Sequence, residues 1–417
     1  MSDTTISQMP KYDSYKESGE HWVGLIPTHW QMKKLKYLAH LESGEMIKPE
    51  QFTEGGYPVY GGNGLRGYTS RFTNEGYYPL IGRQGALCGN VNYASGRFYA
   101  SEHAVVVYPV NNSDPFWLGE LIRLADFNRL SQSTAQPGIS VGVVKNEYMP
   151  VPPISEIDSI AKFVRKNETK INEAIALKQK QIELLKERKQ IIIQQAVTQG
   201  LNPDVPMKDS GVDWIGVIPG HWIVKRAKYL LDEINERSET GLEELLSVSH
   251  MTGVTPRSEK NVTMFMAEDY TGSKLCHSGD LVINIMWAWM GALGVSDRTG
   301  IVSPSYGVFR EQREGTFVPK YLEMLLKSTK YVEYYNKVST GLHSSRLRFY
   351  GHMLFDMAMG FPPYEEQTQI VDYISRECSK VDEAITVQAE QVSKLKEYKT
   401  TLINSAVTGK IKVTELV

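Results

Sequence analysis

The sequence contains few cysteines, no long apolar run and almost no net charge. Its three cysteines, Cys88, Cys276 and Cys378, are widely separated and odd in number. A disulfide framework and a structural zinc site are therefore disfavoured, and we interpret the cysteines as reduced thiols of a cytoplasmic protein. The most apolar stretch, 281–295, is interrupted by Asn284, which argues against a membrane span. The first 15 residues are polar, so we expect no export signal.

Charge and motifs exclude several classes of protein. The net charge of −2 argues mildly against a uniformly basic nucleic-acid binder. Basic residues nevertheless cluster at 162–189, with nine Lys or Arg against four Glu, which is typical of a solvated helix face or of a basic surface. The sequence contains no HExxH, GxSxG, Walker loop or Cys/His cluster. We therefore predict no catalytic residue, no metal site and no cofactor in this chain.

An internal repeat organises the whole sequence. The segment WVGLIPTHW at 22–30 returns as WIGVIPGHW at 214–222, offset by 192 residues. A later block, which begins with Pro-Pro at 152–153 and 362–363, recurs with an offset of 210. The 18 extra residues must lie between the two blocks of the second copy. The intervening regions, 40–150 (region A) and 232–360 (region B), share almost no sequence, which indicates one scaffold carrying two different recognition surfaces.

Each repeat ends in a segment predicted to be one long helix. The stretch 158–197 has no Gly or Pro, and Gly200 is suited to end the helix. Apolar residues spaced by three, four or seven predict a seam that packs against another helix, and we prefer pairing of the two repeated helices with each other, antiparallel, over packing of each on its own domain. The predicted pairing residues are Ile171, Ile175, Ile182, Leu185, Ile192, Val381, Ile385, Val392, Leu395 and Leu402.

One motif could be mistaken for a catalytic one. The segment FPPY at 361–364 resembles the loop with which amino-methyltransferases hold a flipped base. That loop needs a polar first residue, whereas Phe361 stands here, and the equivalent VPPI at 151–154 also lacks the final aromatic residue. We therefore interpret both Pro-Pro pairs as helix starts.

The combination of motifs resembles the specificity subunit of type I restriction-modification systems. The residues that carry this resemblance are the paired WxGxIPxHW segments, the Pro-Pro helix starts, Ala-Val-Thr at 196–198 and 406–408, YGGNGLRG from Tyr60 and IGRQGA from Ile81. It covers about 14–412. Region B lacks a GGNG-type loop, so the two halves of a DNA target should differ.

The resemblance implies an α+β fold class with a pseudo-two-fold internal repeat. Two globular mixed α/β target-recognition domains would be joined by two long antiparallel coiled-coil helices. We predict target-recognition domain 1 at 1–152, a central conserved helix at 153–200, target-recognition domain 2 at 201–362 and a distal conserved helix at 363–417.

The resemblance also implies partners. The chain would bind double-stranded DNA at an asymmetric bipartite site. It would also bind two methyltransferase (modification) subunits and two restriction (motor-nuclease) subunits, and we expect no membrane partner. S-adenosylmethionine, ATP and Mg would be bound by those partner subunits. Two other hypotheses remain open: an enzyme with an eroded methyltransferase or nuclease motif, and a coiled-coil adaptor or regulator without sequence-specific DNA contact.

Residue type guides the choice of DNA-contacting residues within regions A and B. Arg, Gln and Asn suit base edges, Tyr and backbone amides suit phosphates, and glycine-rich turns permit close approach of the backbone. The predicted DNA-binding residues are Tyr60, Asn63, Arg66, Tyr68, Arg83, Gln84, Asn90, Asn92, Gln136, His250, Asn284, Trp287, Ser305, Tyr306, His343, Arg346 and Arg348.

Overall fold

The computed structural model describes most of the chain and divides it into two compact units. The described residues are 6–85, 87–111, 113–131, 137–259, 269–341 and 347–416. The first unit comprises 1–180 with 388–417, and the second comprises 181–387. The division therefore falls inside each of two long helices, so that each unit contains half of both.

Two of the α-helices are several times longer than the others. They span 46 and 44 residues and begin directly after the two Pro-Pro pairs, as proline at a helix start favours. The helices are α1 (Pro115–Leu124), α2 (Val141–Val144), α3 (Ile154–Gln199), α4 (Pro319–Leu326), α5 (Thr329–Val338), α6 (Gly351–Asp356) and α7 (Tyr364–Val407).

In the first unit, the N-terminal half of α3 packs antiparallel against the C-terminal half of α7. Lys399, late in α7, donates to Glu168 at 3.3 Å and to Asn172 at 3.1 Å, early in α3. Lys178, further along α3, donates to Gln388 at 3.1 Å. The seam residues of this half lie within or against one buried apolar cluster: Ile171, Ile175, Val392, Leu395 and Leu402. Lys178 and Lys399 thus form hydrogen bonds between the two helix segments.

In the second unit, the C-terminal half of α3 packs against the N-terminal half of α7. Lys189 donates to both carboxylate oxygens of Asp382, at 2.8 and 2.7 Å. Ala196, near the end of α3, shares a buried cluster with Ile370 and Ile374, near the start of α7, so the two segments run antiparallel. The remaining seam residues are buried or half-buried: Ile182, Leu185, Ile192, Val381 and Ile385.

The first repeated WxGxIPxHW segment packs between the start of α3 and the end of α7. Trp30 is fully buried, and its indole N–H donates to Glu156 in the first turn of α3 at 3.1 Å. His29 lies 2.7 Å from one oxygen of Glu156, and Tyr12 donates to the same carboxylate at 2.7 Å. Gly409 has a φ of +74°, and a Cβ there would come within 2.6 Å of Pro27, so glycine is required after the end of α7.

The second WxGxIPxHW segment repeats this arrangement in the second unit. The Trp222 indole donates to Glu366 at 3.1 Å, and His221 lies 2.6 Å from the other oxygen of that carboxylate. Gly200 follows α3 with a φ of +75° and lies against Trp222. Each duplicated histidine therefore contacts the acidic residue in the first turn of a long helix.

Region A of the first unit is organised around a seven-stranded sheet. Its order is β4-β10-β8-β9-β6-β7-β5, antiparallel except for the parallel pair β6 and β9. Two separate two-stranded ladders of the first unit are formed by β1 with β2 and by β3 with β11. The strands are β1 (Tyr15–Glu17), β2 (Leu25–Pro27), β3 (Gln31–Lys34), β4 (Ala39–Ser43), β5 (Phe52–Thr53), β6 (Tyr57–Gly61), β7 (Gly64–Thr69), β8 (Asn74–Gly82), β9 (Val91–Ala100), β10 (Ala104–Pro109) and β11 (Tyr148–Val151).

The described residues of the second unit, including region B, form a four-stranded sheet, β15-β22-β19-β20, and four two-stranded ladders, β12-β13, β14-β23, β16-β17 and β18-β21. The strands are β12 (Met207–Asp209), β13 (Val217–Pro219), β14 (Ile223–Arg226), β15 (Leu231–Glu233), β16 (Leu246–Ser249), β17 (Gly253–Pro256), β18 (Lys274–Cys276), β19 (Leu281–Asn284), β20 (Leu293–Val295), β21 (Gly300–Val302), β22 (Tyr306–Glu311) and β23 (Ala358–Phe361).

The two regions share a four-strand frame despite their unlike sequences. The antiparallel order β4-β10-β8-β9 of region A corresponds to β15-β22-β19-β20 of region B. Ala39 pairs with Pro109 in the first frame, and Leu231 pairs with Glu311 in the second. Strand β10 and its counterpart β22 are offset by 202 residues, so ten of the 18 extra residues precede this part of the frame and eight follow it.

Within the described parts of the chain, no helix is long and apolar enough to cross a membrane. Cys88, Cys276 and Cys378 are free and buried. Burial raises the pKa of the Cys276 thiol to about 11, which leaves it protonated and unreactive at neutral pH.

Candidate nucleic-acid interface

The two glycine-rich segments of region A meet in the first unit. The turn between β6 and β7 places Gly62 against Gly82 at the end of β8. A Cβ on Gly82 would come within 2.3 Å of the Gly62 carbonyl oxygen. Any residue larger than glycine at position 82 would therefore prevent this close approach of the two backbones. The segments 60–64 and 81–85 therefore form one continuous surface, which we call the glycine surface.

Several predicted DNA-binding side chains project from the glycine surface. Asn63, Arg66 and Gln84 are exposed, whereas Arg83 and Asn90 are half-buried. The side chain of Arg66 lies across Gly61, where a Cβ would come within 2.4 Å of its Cδ, and the guanidinium is 5.9 Å from the Phe52 ring. These residues present amide and guanidinium groups together, the groups that pair with base edges.

Three other predicted residues of region A have different environments. Tyr60 is half-buried and packs edge-on against Phe98 at 5.9 Å, which supports a structural role. Tyr68 is 38% exposed on β7. The Asn92 side-chain nitrogen is buried and has no hydrogen-bond partner among the described residues, while its oxygen faces Gly64 in the turn.

An arginine-aromatic cluster beside these residues was missed by sequence reasoning. The guanidinium of Arg71 lies 5.1 Å from the Tyr99 ring, and that of Arg97 lies 5.0 Å from the Phe72 ring. Arg97 also contacts Glu75 at 3.2 Å, because strands β8 and β9 pair these two positions. Phe72 is 40% exposed. The register between the strands creates this cluster, and the sequence alone does not reveal that register.

The second unit places a different turn at the corresponding position. Gly82 N–H donates to the Asn90 carbonyl at 2.8 Å, and Asn284 N–H donates to the Ala292 carbonyl at 3.0 Å. The next carbonyl along each segment also accepts a 3.0 Å bond: Arg83 accepts from the Ile139 amide, and Ile285 accepts from the Phe349 amide. Segments 82–90 and 284–292 are therefore equivalent turns at the end of the frame.

Two predicted residues of region B stabilise this turn. The Asn284 side chain is buried, accepts from the Met286 amide at 3.1 Å and donates to the Tyr306 hydroxyl at 3.3 Å. Burial raises the pKa of Tyr306. Their polar atoms are used within the protein, so these residues support the neighbouring side chains rather than offering free groups of their own.

The other predicted residues of region B are more accessible. Trp287 is 46% exposed, and His250 and Ser305 are exposed. Arg348 is half-buried and donates to the Leu347 carbonyl at 3.0 Å. Gln136, His343 and Arg346 lie outside the described residues.

The described residues contain no group of three or more His, Cys, Asp or Glu that could hold a metal ion. The segment from Phe361 to Tyr364 also fits its predicted structural role. Phe361 is buried at the end of β23, and α7 begins at Tyr364. The aromatic ring of Phe361 packs 4.7 Å from that of Phe317 in the core, so the first position of the motif offers no polar group to a base.

Comparison with known proteins identifies the class of this fold. Residues 27–186 match the family model described as "Type I restriction modification DNA specificity domain". The EcoprrI type I restriction enzyme specificity subunit of Escherichia coli is 36% identical over 161 residues, a match that covers 38% of this chain and 39% of that relative's length. The MjaVIII specificity subunit of Methanocaldococcus jannaschii is 23% identical over 445 residues, covering 99% of both chains.

A solved chain reported for the complex assembly and conformational transition of the type I R-M system has the same fold. It aligns with a TM-score of 0.63 at 16% identity, covering 92% of this chain and 98% of that one. Residues 27–186 thus form a type I restriction-modification DNA specificity domain. The chain is therefore similar to type I restriction-modification specificity subunits.

Proposed function

We propose that this chain is the sequence-reading subunit of a type I restriction-modification complex, binds an asymmetric bipartite DNA site and performs no catalysis itself. One observation carries the proposal. The same four-strand frame occurs in both units and ends in equivalent turns, 82–90 and 284–292, whose side chains are unlike. A protein that reads two different half-sites needs two similar frames with different contact residues, whereas a single active site does not.

The proposed partners are modification subunits, which would bind S-adenosylmethionine and methylate adenine, and restriction subunits, which would use ATP and Mg. Two copies of each are proposed, in the cytoplasm. Leu177, Leu184 and Ile191 support a docking role for α3, because they recur every seven residues and are 62%, 53% and 47% exposed. Such a stripe of exposed large apolar side chains is unusual on a helix face that meets only water.

The proposal is tested by selection from DNA. The chain is purified together with its modification subunits and mixed with a pool of randomised duplexes, and the bound duplexes are sequenced. We expect two conserved blocks of different sequence, separated by a spacer of fixed length and free sequence. Scrambling both blocks should then reduce affinity by at least about 10³-fold at physiological salt, because specific binding exceeds non-specific binding by that margin, and scrambling either block alone should give part of this loss.

Two results would contradict the proposal. An adaptor without sequence readout would enrich no block, and its affinity would follow salt concentration alone. An enzyme with an eroded motif would bind S-adenosylmethionine or cleave DNA as the isolated chain, which calorimetry and a nuclease assay would reveal.

A further inference from the structure

The turn at 284–292 of the second unit presents a tryptophan pair to solvent. The rings of Trp287 and Trp289 are stacked, with centroids 5.8 Å apart and planes inclined by 29°. Trp287 is 46% exposed and the neighbouring Met290 is 40% exposed. The equivalent turn of the first unit has Gly85 at the position of Trp287, directly after the polar residues Arg83 and Gln84. The second turn is therefore aromatic where the first has a glycine next to two polar side chains.

This aromatic turn is held rigidly from within the second unit. The Trp289 indole donates to the Met286 carbonyl at 3.0 Å, and its own carbonyl accepts from Asn336 at 2.7 Å. The buried Asn284 side chain accepts from the Met286 amide at 3.1 Å. Gly291 closes the turn in the left-handed region, with a φ of +78°. Trp287 is thus presented at little further entropic cost, which favours binding by a preorganised side chain.

A cleft of about 400 Å³ begins beside the turn. Met286 lines it, together with Arg257 and Ser303. The Ser247 hydroxyl also lines it, is buried and has no hydrogen-bond partner among the described residues. The guanidinium and hydroxyls of this cleft are groups that suit a backbone phosphate of DNA.

We propose that Trp287 contacts a nucleobase of the second half-site through its ring, so that the second unit uses an aromatic side chain in the turn where the first unit presents Arg83 and Gln84. The inference rests on the proposed function, since it assigns a mode of DNA recognition to the second unit. Arg257 binds the adjacent backbone phosphate. The position of the turn at the end of the shared frame favours DNA over a protein as the ligand.

The test uses the complex of the full chain with its modification subunits and the duplex selected by it. Trp287→Ala should lower affinity for the full site about 5- to 150-fold, the range of about 1–3 kcal/mol that recognition of one base pair contributes in a duplex site. It should reduce discrimination against base changes in the second block and leave the first block unaffected. The slope of affinity against salt should stay unchanged, because the ring contacts no phosphate, whereas Arg257→Ala should make the slope shallower by about one.

Matched variants separate ring contact from folding. Trp287→Phe keeps an aromatic ring and should retain most of the affinity, and Trp287→Leu keeps apolar bulk without a ring and should not. Tyr229→Ala is the control, because this tyrosine is 63% exposed in the same unit but lies outside the turn. It should leave affinity and half-site discrimination unchanged. 2-Aminopurine placed at the contacted base should change its fluorescence when the unaltered complex binds, and should not do so when the Trp287→Ala complex binds.

Three results would overturn the inference: unchanged affinity of Trp287→Ala, an equal loss of discrimination in both blocks, or weakened copurification with the modification subunits while DNA reading is intact. The last result would assign the ring to a protein contact. Failure of the proposed function is distinguishable, since the unaltered complex would then discriminate neither block.

Discussion

Removing the acidic residue at the start of each long helix should destabilise the two units unequally. Glu156→Ala would leave the indole N–H of the fully buried Trp30 and the hydroxyl of Tyr12 without their acceptor. Glu366→Ala would leave the Trp222 indole without its acceptor, and here no tyrosine donates to the carboxylate among the described contacts. The histidine contacts add little, because both histidine side chains are nearly half exposed, at 46% and 44%.

The expected loss in the free energy of unfolding follows from the number of hydrogen-bond donors left unpaired. Each such donor costs about 1–3 kcal/mol when buried. We therefore expect losses of about 2–4 kcal/mol for Glu156→Ala and about 1–3 kcal/mol for Glu366→Ala, with the first larger by about 1 kcal/mol. Hydrogen exchange of peptides from each unit, followed by mass spectrometry across a urea series, measures the two free energies of unfolding separately.

Glu365→Ala is the matched control for the helix-dipole contribution, because Glu365 is an exposed acid in the same helical turn. It should cost no more than about 1 kcal/mol. Losses below about 0.5 kcal/mol for both test variants, or a larger loss for Glu366→Ala than for Glu156→Ala, would refute the hydrogen-bond reasoning.

Three further predictions concern the spacer, the first half-site and the partner surface. Deletion of 178–184 together with 385–391 removes one heptad from each helix and shortens each helix by about 10.5 Å. The preferred spacer should become shorter by up to about three base pairs, with both blocks unchanged. An unchanged spacer in duplex selection would refute the hypothesis that helix length sets the spacer. Arg83→Ala should cost about 1–3 kcal/mol at one position of the first block, measured by competition between single-base variants, and equal losses in both blocks would contradict this. Leu184→Glu should alter the free energy of unfolding by less than about 0.5 kcal/mol, because the leucine is 53% exposed. It should nevertheless reduce copurification of modification subunits. Full copurification would argue against docking of these subunits on the exposed apolar stripe of α3.

The helices and repeated segments were predictable because their signals are local or duplicated. Apolar spacing alone placed Ile171 and Leu402 on one seam, and the two lie in a single buried cluster. The Pro-Pro pairs predicted helix starts, and α3 begins at Ile154 and α7 at Tyr364. The predicted helix of 158–197 was too short at both ends, since α3 begins directly after Pro153 and continues to Gln199.

The frame shared by regions A and B could not be predicted from the sequence. Gly82 and Asn284 occupy equivalent positions, yet one is required for close backbone approach and the other supplies a buried amide that organises its turn. Strand pairing constrains backbone bonds and leaves side chains free to differ, so equal frames need not resemble each other in sequence. For the same reason the pairing of Arg97 with Glu75 depends on strand register and was missed.

The most direct test of the central claim is to map N6-methyladenine across the genome of cells that carry this chain with its modification subunits, and of matched cells from which only this chain is deleted. The account predicts that one asymmetric motif of two blocks with an unread spacer loses its methylation. A motif that survives the deletion, or one that is continuous or symmetric, would contradict it.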